Sequence, residues 1–144
     1  MKPLTPPRER VLKFAVSWLL GGLFLWAGSL KILDPKEFAT SVANYRLVPY
    51  PLINLVAITV PWVEVVAGLF LVLQRWVRAS ALVMTGMTAA FFVFIVSALA
   101  RGLNIECGCF GTVGGHNIGL SNLVIDSAML AMALWLSGGT RHAR

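Results

Sequence analysis

Phe14-Ala15-Val16-Ser17-Trp18-Leu19-Leu20-Gly21-Gly22-Leu23-Phe24-Leu25-Trp26-Ala27-Gly28-Ser29-Leu30 is a run of 17 residues without a charge, bracketed by Lys13 and Lys31. With Val11, Leu12, Ile32 and Leu33 on its flanks, it reaches the ~20 residues that a helix needs to cross a hydrocarbon core of about 30 Å. It is longer than the apolar core of a secretory leader, and no small-residue cleavage site follows it, so the expectation is that it stays in the mature protein. The whole chain has the same character. Its 144 residues are 58% hydrophobic and 12% charged, with a mean hydropathy of +0.79, against roughly 45–50% apolar and about 25% charged for a soluble domain. Such a chain cannot cover itself with polar surface, so lipid takes the place of water and a soluble globule is excluded.

Three further stretches have spanning length. Leu52 to Leu73 carries one acid, Glu64, just after Pro61 and Trp62; Ala79 to Ala100 carries no charge; Ser121 to Ser137 carries Asp126, with Ser121 as the expected N-cap. Asp34-Pro35-Lys36-Glu37 stops the first helix. Phe38 to Pro51, with Tyr45, Arg46 and Tyr50, reads as an interfacial segment that suits a short amphipathic helix. The predicted fold is therefore an all-α integral membrane protein. It is one four-helix transmembrane domain over 1–144, with spans at about 12–33, 52–73, 79–100 and 121–137 and loops at 34–51 and 101–120.

The formal net charge of +6 and pI near 10.0 come from basic residues scattered in ones and twos. No stripe forms that would hold nucleic acid, so the charges are read as membrane flanks. Lys2, Arg8, Arg10, Lys13, Arg75, Arg78, Arg141 and Arg144 fall on one side, and Lys31, Lys36, Arg46 and Arg101 on the other. The richer side is expected to be cytoplasmic, with both termini there and the protein in the cell's inner membrane. Both longer loops then face the periplasm, the compartment in which a thiol pair can become a disulfide.

The chain has two cysteines, and they sit one residue apart in Glu106-Cys107-Gly108-Cys109-Phe110-Gly111. Their spacing allows a disulfide, but the bridge closes an eleven-membered ring holding two peptide bonds. Gly108 is the residue type best able to take the backbone angles of such a ring. Strain raises the reduction potential and marks a labile bridge, while so short a loop removes little entropy from the unfolded chain. Two cysteines and one nearby imidazole, His116, are too few for a closed tetrahedral site, so no metal is expected. His116 is either a base or charge partner for Cys107 or Cys109, or a solvated loop residue. Inert thiols and a purely structural bridge remain the blander readings.

Around this loop the sequence resembles the methylamine utilisation MauE family, within the wider DoxX-like group of membrane proteins. The residues that carry the resemblance are Phe24, Leu25, Gly28 and Lys31; Asp34, Pro35 and Phe38; Tyr45, Arg46, Leu47 and Pro49; Pro61, Trp62 and Glu64; and Cys107 to Gly111. Five motifs in one order cover nearly the whole chain. The resemblance implies four membrane helices and a role in maturing periplasmic proteins beside a thioredoxin-like partner. The family's client is a disulfide-rich methylamine dehydrogenase; a disulfide-containing client is the corresponding expectation here.

Ionisable residues inside a span are functional candidates by default, with a structural ion pair as the competing role. Lys31 shares a helix face with Gly21 and Gly28, Glu64 with Pro61 and Gly68, and Asp126 with Asn122. Depth counted from the outer boundary at ~1.5 Å per residue puts Lys31 near that boundary and Asp126 roughly 10 Å deep, where the long lysine stem can reach it, so a Lys31–Asp126 pair is feasible; Glu64, roughly 18 Å deep and beyond easy reach of Lys31, is the candidate for a protonated acid. These groups either hold the bundle together, or Glu64 or Asp126 moves protons or hydrogen-bonds a quinone head group. The residues expected to matter are Cys107 and Cys109 as the reactive pair, supported by Lys31, Glu64, Asp126, Arg46 and His116. The leading reading is a thiol–disulfide exchange component. A noncatalytic anchor for a maturation factor and a quinone-linked DoxX-like oxidoreductase subunit are the alternatives. Met84 and Met87, and Met129 and Met132, are read as packing.

Overall fold

The computed structural model describes residues 7–105 and 119–138. The expectations placed on Cys107, Cys109 and His116 lie outside the described residues. Every element among the described residues is a helix: α1 (Pro7–Leu33), α2 (Pro35–Asn44), α3 (Tyr50–Val72), α4 (Val77–Ala100) and α5 (Leu120–Gly138). All but α2 are long and apolar enough to cross a membrane, which makes this a multi-pass membrane protein with the four spans expected from the sequence. The most extensive packing is α1 on α3 and α4 on α5, and the α3–α4 and α1–α5 contacts close the ring.

Local chemistry sets the boundaries. The Asp34 carboxylate accepts from the Glu37 N–H at 3.1 Å and Pro35 occupies the first turn of α2, where a missing N–H costs nothing. The expected amphipathic helix is thus present and begins at Pro35. Ser121 is not the cap of α5: the helix starts one residue earlier, and the Asn122 side chain accepts from the Gly119 N–H at 3.3 Å, satisfying an otherwise orphaned donor. Between α3 and α4, Gln74 and Trp76 both take left-handed backbone angles, with φ of 56° and 50°. Gln74 is held there because its Nε2 donates to Ser17 Oγ at 2.9 Å and to the Leu71 carbonyl at 2.8 Å.

Glycines let α1 and α3 meet backbone to backbone. A Cβ on Gly21 would lie 2.8 Å from the Gly68 carbonyl oxygen, and one on Gly68 would lie 2.8 Å from the Gly21 carbonyl oxygen. At Gly28 a Cβ would stand 2.8 Å from Val65 Cγ2 and 2.9 Å from the Pro61 carbonyl oxygen. In lipid no hydrophobic effect pulls helices together, so such close approach supplies much of the association energy. Gly28→Ala is accordingly expected to destabilise the folded protein by about 1–3 kcal/mol, as overpacking does elsewhere. Reversible unfolding in detergent, followed by tryptophan fluorescence, measures it; an unchanged midpoint would refute the close packing.

The inner half of the bundle, towards the chain termini and the α3–α4 hairpin, is an apolar core of Leu20, Phe24, Ala67, Leu71, Ala81, Met84, Ala133 and Leu136. Met129 and Met132 pack against it, as packing residues should. The outer half is different: α2 lies across it, burying Phe38 and Val42 against Ala57 with Val56 and Val60 beside them.

Candidate functional site

Lys31 and Glu64 are the centre of the outer half. Lys31 Nζ donates to Glu64 Oε1 at 2.8 Å and to Oε2 at 2.9 Å, and the two residues are only 2% and 3% exposed. Lys31 does not pair with Asp126, and Glu64 is not a lone acid; both expectations fail for the same reason. They set the outer ends of α1 and α3 flush, whereas the glycine contacts fix a different register. Gly21 faces Gly68 and Gly28 faces Pro61, so Lys31 lies level with Ile58 and Leu33 with Val56. α3 therefore runs on past the end of α1 by about a turn and a half, and α2 fills the step.

The remaining separation between Lys31 and Glu64 is six residues, about 9 Å along the axis at ~1.5 Å per residue. Side chains lean towards the N-terminus of their own helix. In an antiparallel pair, Lys31 leans inward and Glu64 leans outward, and the two converge. Two rings shield the ammonium, with the Phe38 centroid at 5.1 Å and the Phe91 centroid at 5.2 Å from Nζ, a cation–π arrangement that is strongest where water is absent. Buried beneath α2, Lys31 is no flank charge, so of the four basic residues assigned to this end of the bundle Lys36, Arg46 and Arg101 remain as flanks.

From Phe91 a series of rings leads to the outer surface. Phe91 lies 6.5 Å from Phe94, and Phe94 lies 5.5 Å from Tyr45. Tyr45 is 1% exposed. Burial, and then the negative charge of Asp126, raise its phenol far above the ordinary value, so it stays a neutral hydroxyl at any physiological pH. Asp126 and Phe94 each lie six residues from the outer end of their helices. Asp126 is 7% exposed and its Oδ2 has no hydrogen-bond partner among the described residues. Thr88 Oγ1 is buried in the same condition. Above them, the Arg101 guanidinium at the end of α4 donates to the Tyr45 carbonyl and to the Ser97 carbonyl, tying the end of α2 to the start of the segment that holds the cysteines.

Of the residues singled out in the sequence, the structure gathers Lys31, Glu64 and Asp126 within the outer half of the bundle. Arg46 is exposed, on a left-handed turn with φ 54° that follows α2. Sequence reasoning gave weight to the charge of Arg46 and passed over its neighbour: Tyr45 is the buried member of the Tyr-Arg-Leu motif. It also counted Arg101 only as a flank charge and gave Phe38 and Phe91 no role at the lysine. The alternation of Phe91 and Phe94 at helical spacing with Lys31 across the bundle was the signal available, but it needed the register of α1 against α3.

A family model described as methylamine utilisation protein MauE matches residues 9–138 of the chain. The methylamine utilization protein MauE of Paracoccus denitrificans is 28% identical over 133 residues, covering 89% of this chain and 72% of that relative. The MauE of Paracoccus versutus is 27% identical over 128 residues, covering 88% of this chain and 69% of its own length. No solved structure matches.

Proposed function

The chain belongs to the MauE family, and we propose on that premise that it is a thiol–disulfide exchange component of the inner membrane, supporting the maturation of exported proteins. The observation that carries the reading is Cys107-Gly108-Cys109, the two cysteines of the chain, in the segment that joins the outer ends of α4 and α5. The names of the relatives link them to methylamine utilisation; a periplasmic client of that system, carrying disulfides, is the corresponding substrate.

The exchange balances without a cofactor. One thiolate of a thioredoxin-like partner attacks a sulfur of the Cys107–Cys109 disulfide, giving a mixed disulfide and one released thiolate. The partner's second thiolate then attacks the mixed disulfide. Two electrons and two protons pass from the partner's dithiol to Cys107 and Cys109, and the partner leaves oxidised. Run in reverse, the same steps deliver reducing equivalents outward. The lysine and arginine distribution supports the orientation this needs. Both ends of the chain lie on one side because four helices cross, and the side richer in basic residues is the cytoplasmic one.

Alkylation of free thiols in intact cells, before and after reduction, tests the proposal. A labile pair is expected to be found in both oxidised and reduced form, shifting with added oxidant or reductant. A pair found wholly reduced in every condition would overturn the proposal, leaving an anchor that positions a maturation factor as the better reading.

A further inference from the structure

α3 and α4 follow each other in the chain yet touch less than either does with its other neighbour. Joined by the hairpin at 73–76, they splay apart and leave a groove of about 440 Å³ on the outside of the bundle, lined by Ile58, Trp62, Val66, Phe70, Trp76 and Val83 among others. The volume is within the ~300–1,000 Å³ of ordinary ligand sites. From Ile58 to Phe70 is twelve residues along α3, about 18 Å at ~1.5 Å per residue, close to the ~15 Å depth of one leaflet.

The inner mouth of this groove is basic and aromatic. Trp76 is 74% exposed, and its ring stacks on Phe70 with centroids 5.4 Å apart. Arg75 and Arg78 flank it, both exposed, and neither meets an acidic partner among the described residues. α4 starts here without a side-chain cap, so its first N–H groups point at the same place. An apolar slot one leaflet deep, opening on two unpaired guanidinium groups and an interfacial indole, is complementary to one class of molecule.

We propose that the groove between α3 and α4 holds one acyl chain of an anionic phospholipid, whose phosphate sits against Arg75 and Arg78. A zwitterionic lipid offers the same chain but brings its own cation to the arginines, so the headgroup charge decides the preference. The groove runs from the level of Lys31 down to the hairpin, alongside the α1–α3 glycine contacts, so its occupant braces the hairpin that joins α3 to α4.

Native mass spectrometry of the full chain in detergent, with equal phosphatidylglycerol and phosphatidylcholine added, tests this. One phosphatidylglycerol per chain is expected to survive, in preference to phosphatidylcholine. Arg75→Gln with Arg78→Gln is expected to weaken its retention by roughly 30-fold, about fivefold for each arginine near the headgroups. Val66→Trp, which fills the groove and leaves the arginines intact, is expected to remove retention as well. Equal retention of the two lipids, or wild-type retention by either variant, would overturn the proposal. So would a lipid-free dimer that Val66→Trp dissociates, which would assign the groove to a second copy of the chain.

Discussion

Lys31→Met and Glu64→Met are each expected to lower folding stability by about 3–5 kcal/mol, and the double replacement is expected to recover most of that loss. Each single change leaves one charged group in a site almost without solvent: Lys31 is 2% exposed and Glu64 3%. Glu64 would keep no cation against its carboxylate. Lys31 would keep two phenyl faces, at 5.1 and 5.2 Å, worth roughly 2 kcal/mol at a dry site and too little to replace a bidentate carboxylate. Removing both groups strands neither, and methionine fills the volume with a flexible apolar chain. Asp126→Asn provides the contrast. Its Oδ2 has no described partner to abandon, so a loss of less than about 1 kcal/mol is expected, in line with substitutions away from networks. Unfolding of the wild type, the two single variants and the double in detergent forms a double-mutant cycle, with Asp126→Asn measured beside it. Additive losses at Lys31 and Glu64 would show that the pair is not an energetic unit.

The faces of the helices were legible in the sequence, but their relative heights were not. Period alone put Gly21, Gly28 and Lys31 on one side of α1 and Pro61, Glu64 and Gly68 on one side of α3, and those are the residues buried there. Nothing in either segment states how far one helix slides past the other. That is set by where two glycine backbones touch, and a displacement of about a turn and a half changes which carboxylate a lysine meets. The error at Lys31 was one of register, because depth counted separately on each helix assumes ends that coincide.

Conformation at single residues was hidden in a similar way. Arg46, Gln74 and Trp76 adopt left-handed angles although none is glycine, so turn chemistry in the sequence gave no sign of them. The angle at Arg46 leaves its charged side chain exposed directly after a tyrosine that is 1% exposed, so a motif that looked like a cationic anchor delivers a neutral phenol to the interior. The unpartnered oxygen of Asp126 was equally out of reach. The sequence showed an acid inside a span; only the packing around it shows which donors are missing.

Cys107→Ser and Cys109→Ser, made separately, are each expected to abolish support for client maturation while the protein remains inserted at wild-type levels. Transfer of two electrons requires both sulfurs, and a hydroxyl cannot form the mixed disulfide, so the loss should be complete within detection, with no partial activity. Stability should be nearly unaffected, since a bridge across one intervening residue constrains the unfolded chain little. The two variants then separate by what they trap. In the direction in which this protein attacks an oxidised thioredoxin-like partner, the variant that keeps the attacking cysteine lacks the resolving one and should accumulate a mixed disulfide with that partner, visible on a nonreducing gel and lost on reduction. The other should accumulate none. Because the attacking sulfur is the one with greater thiolate character and exposure, the trapped variant also identifies which cysteine initiates exchange. Undiminished maturation by both variants would remove redox chemistry from the protein and leave the buried Lys31–Glu64 pair and the Tyr45–Arg101 tie as the framework of a docking platform.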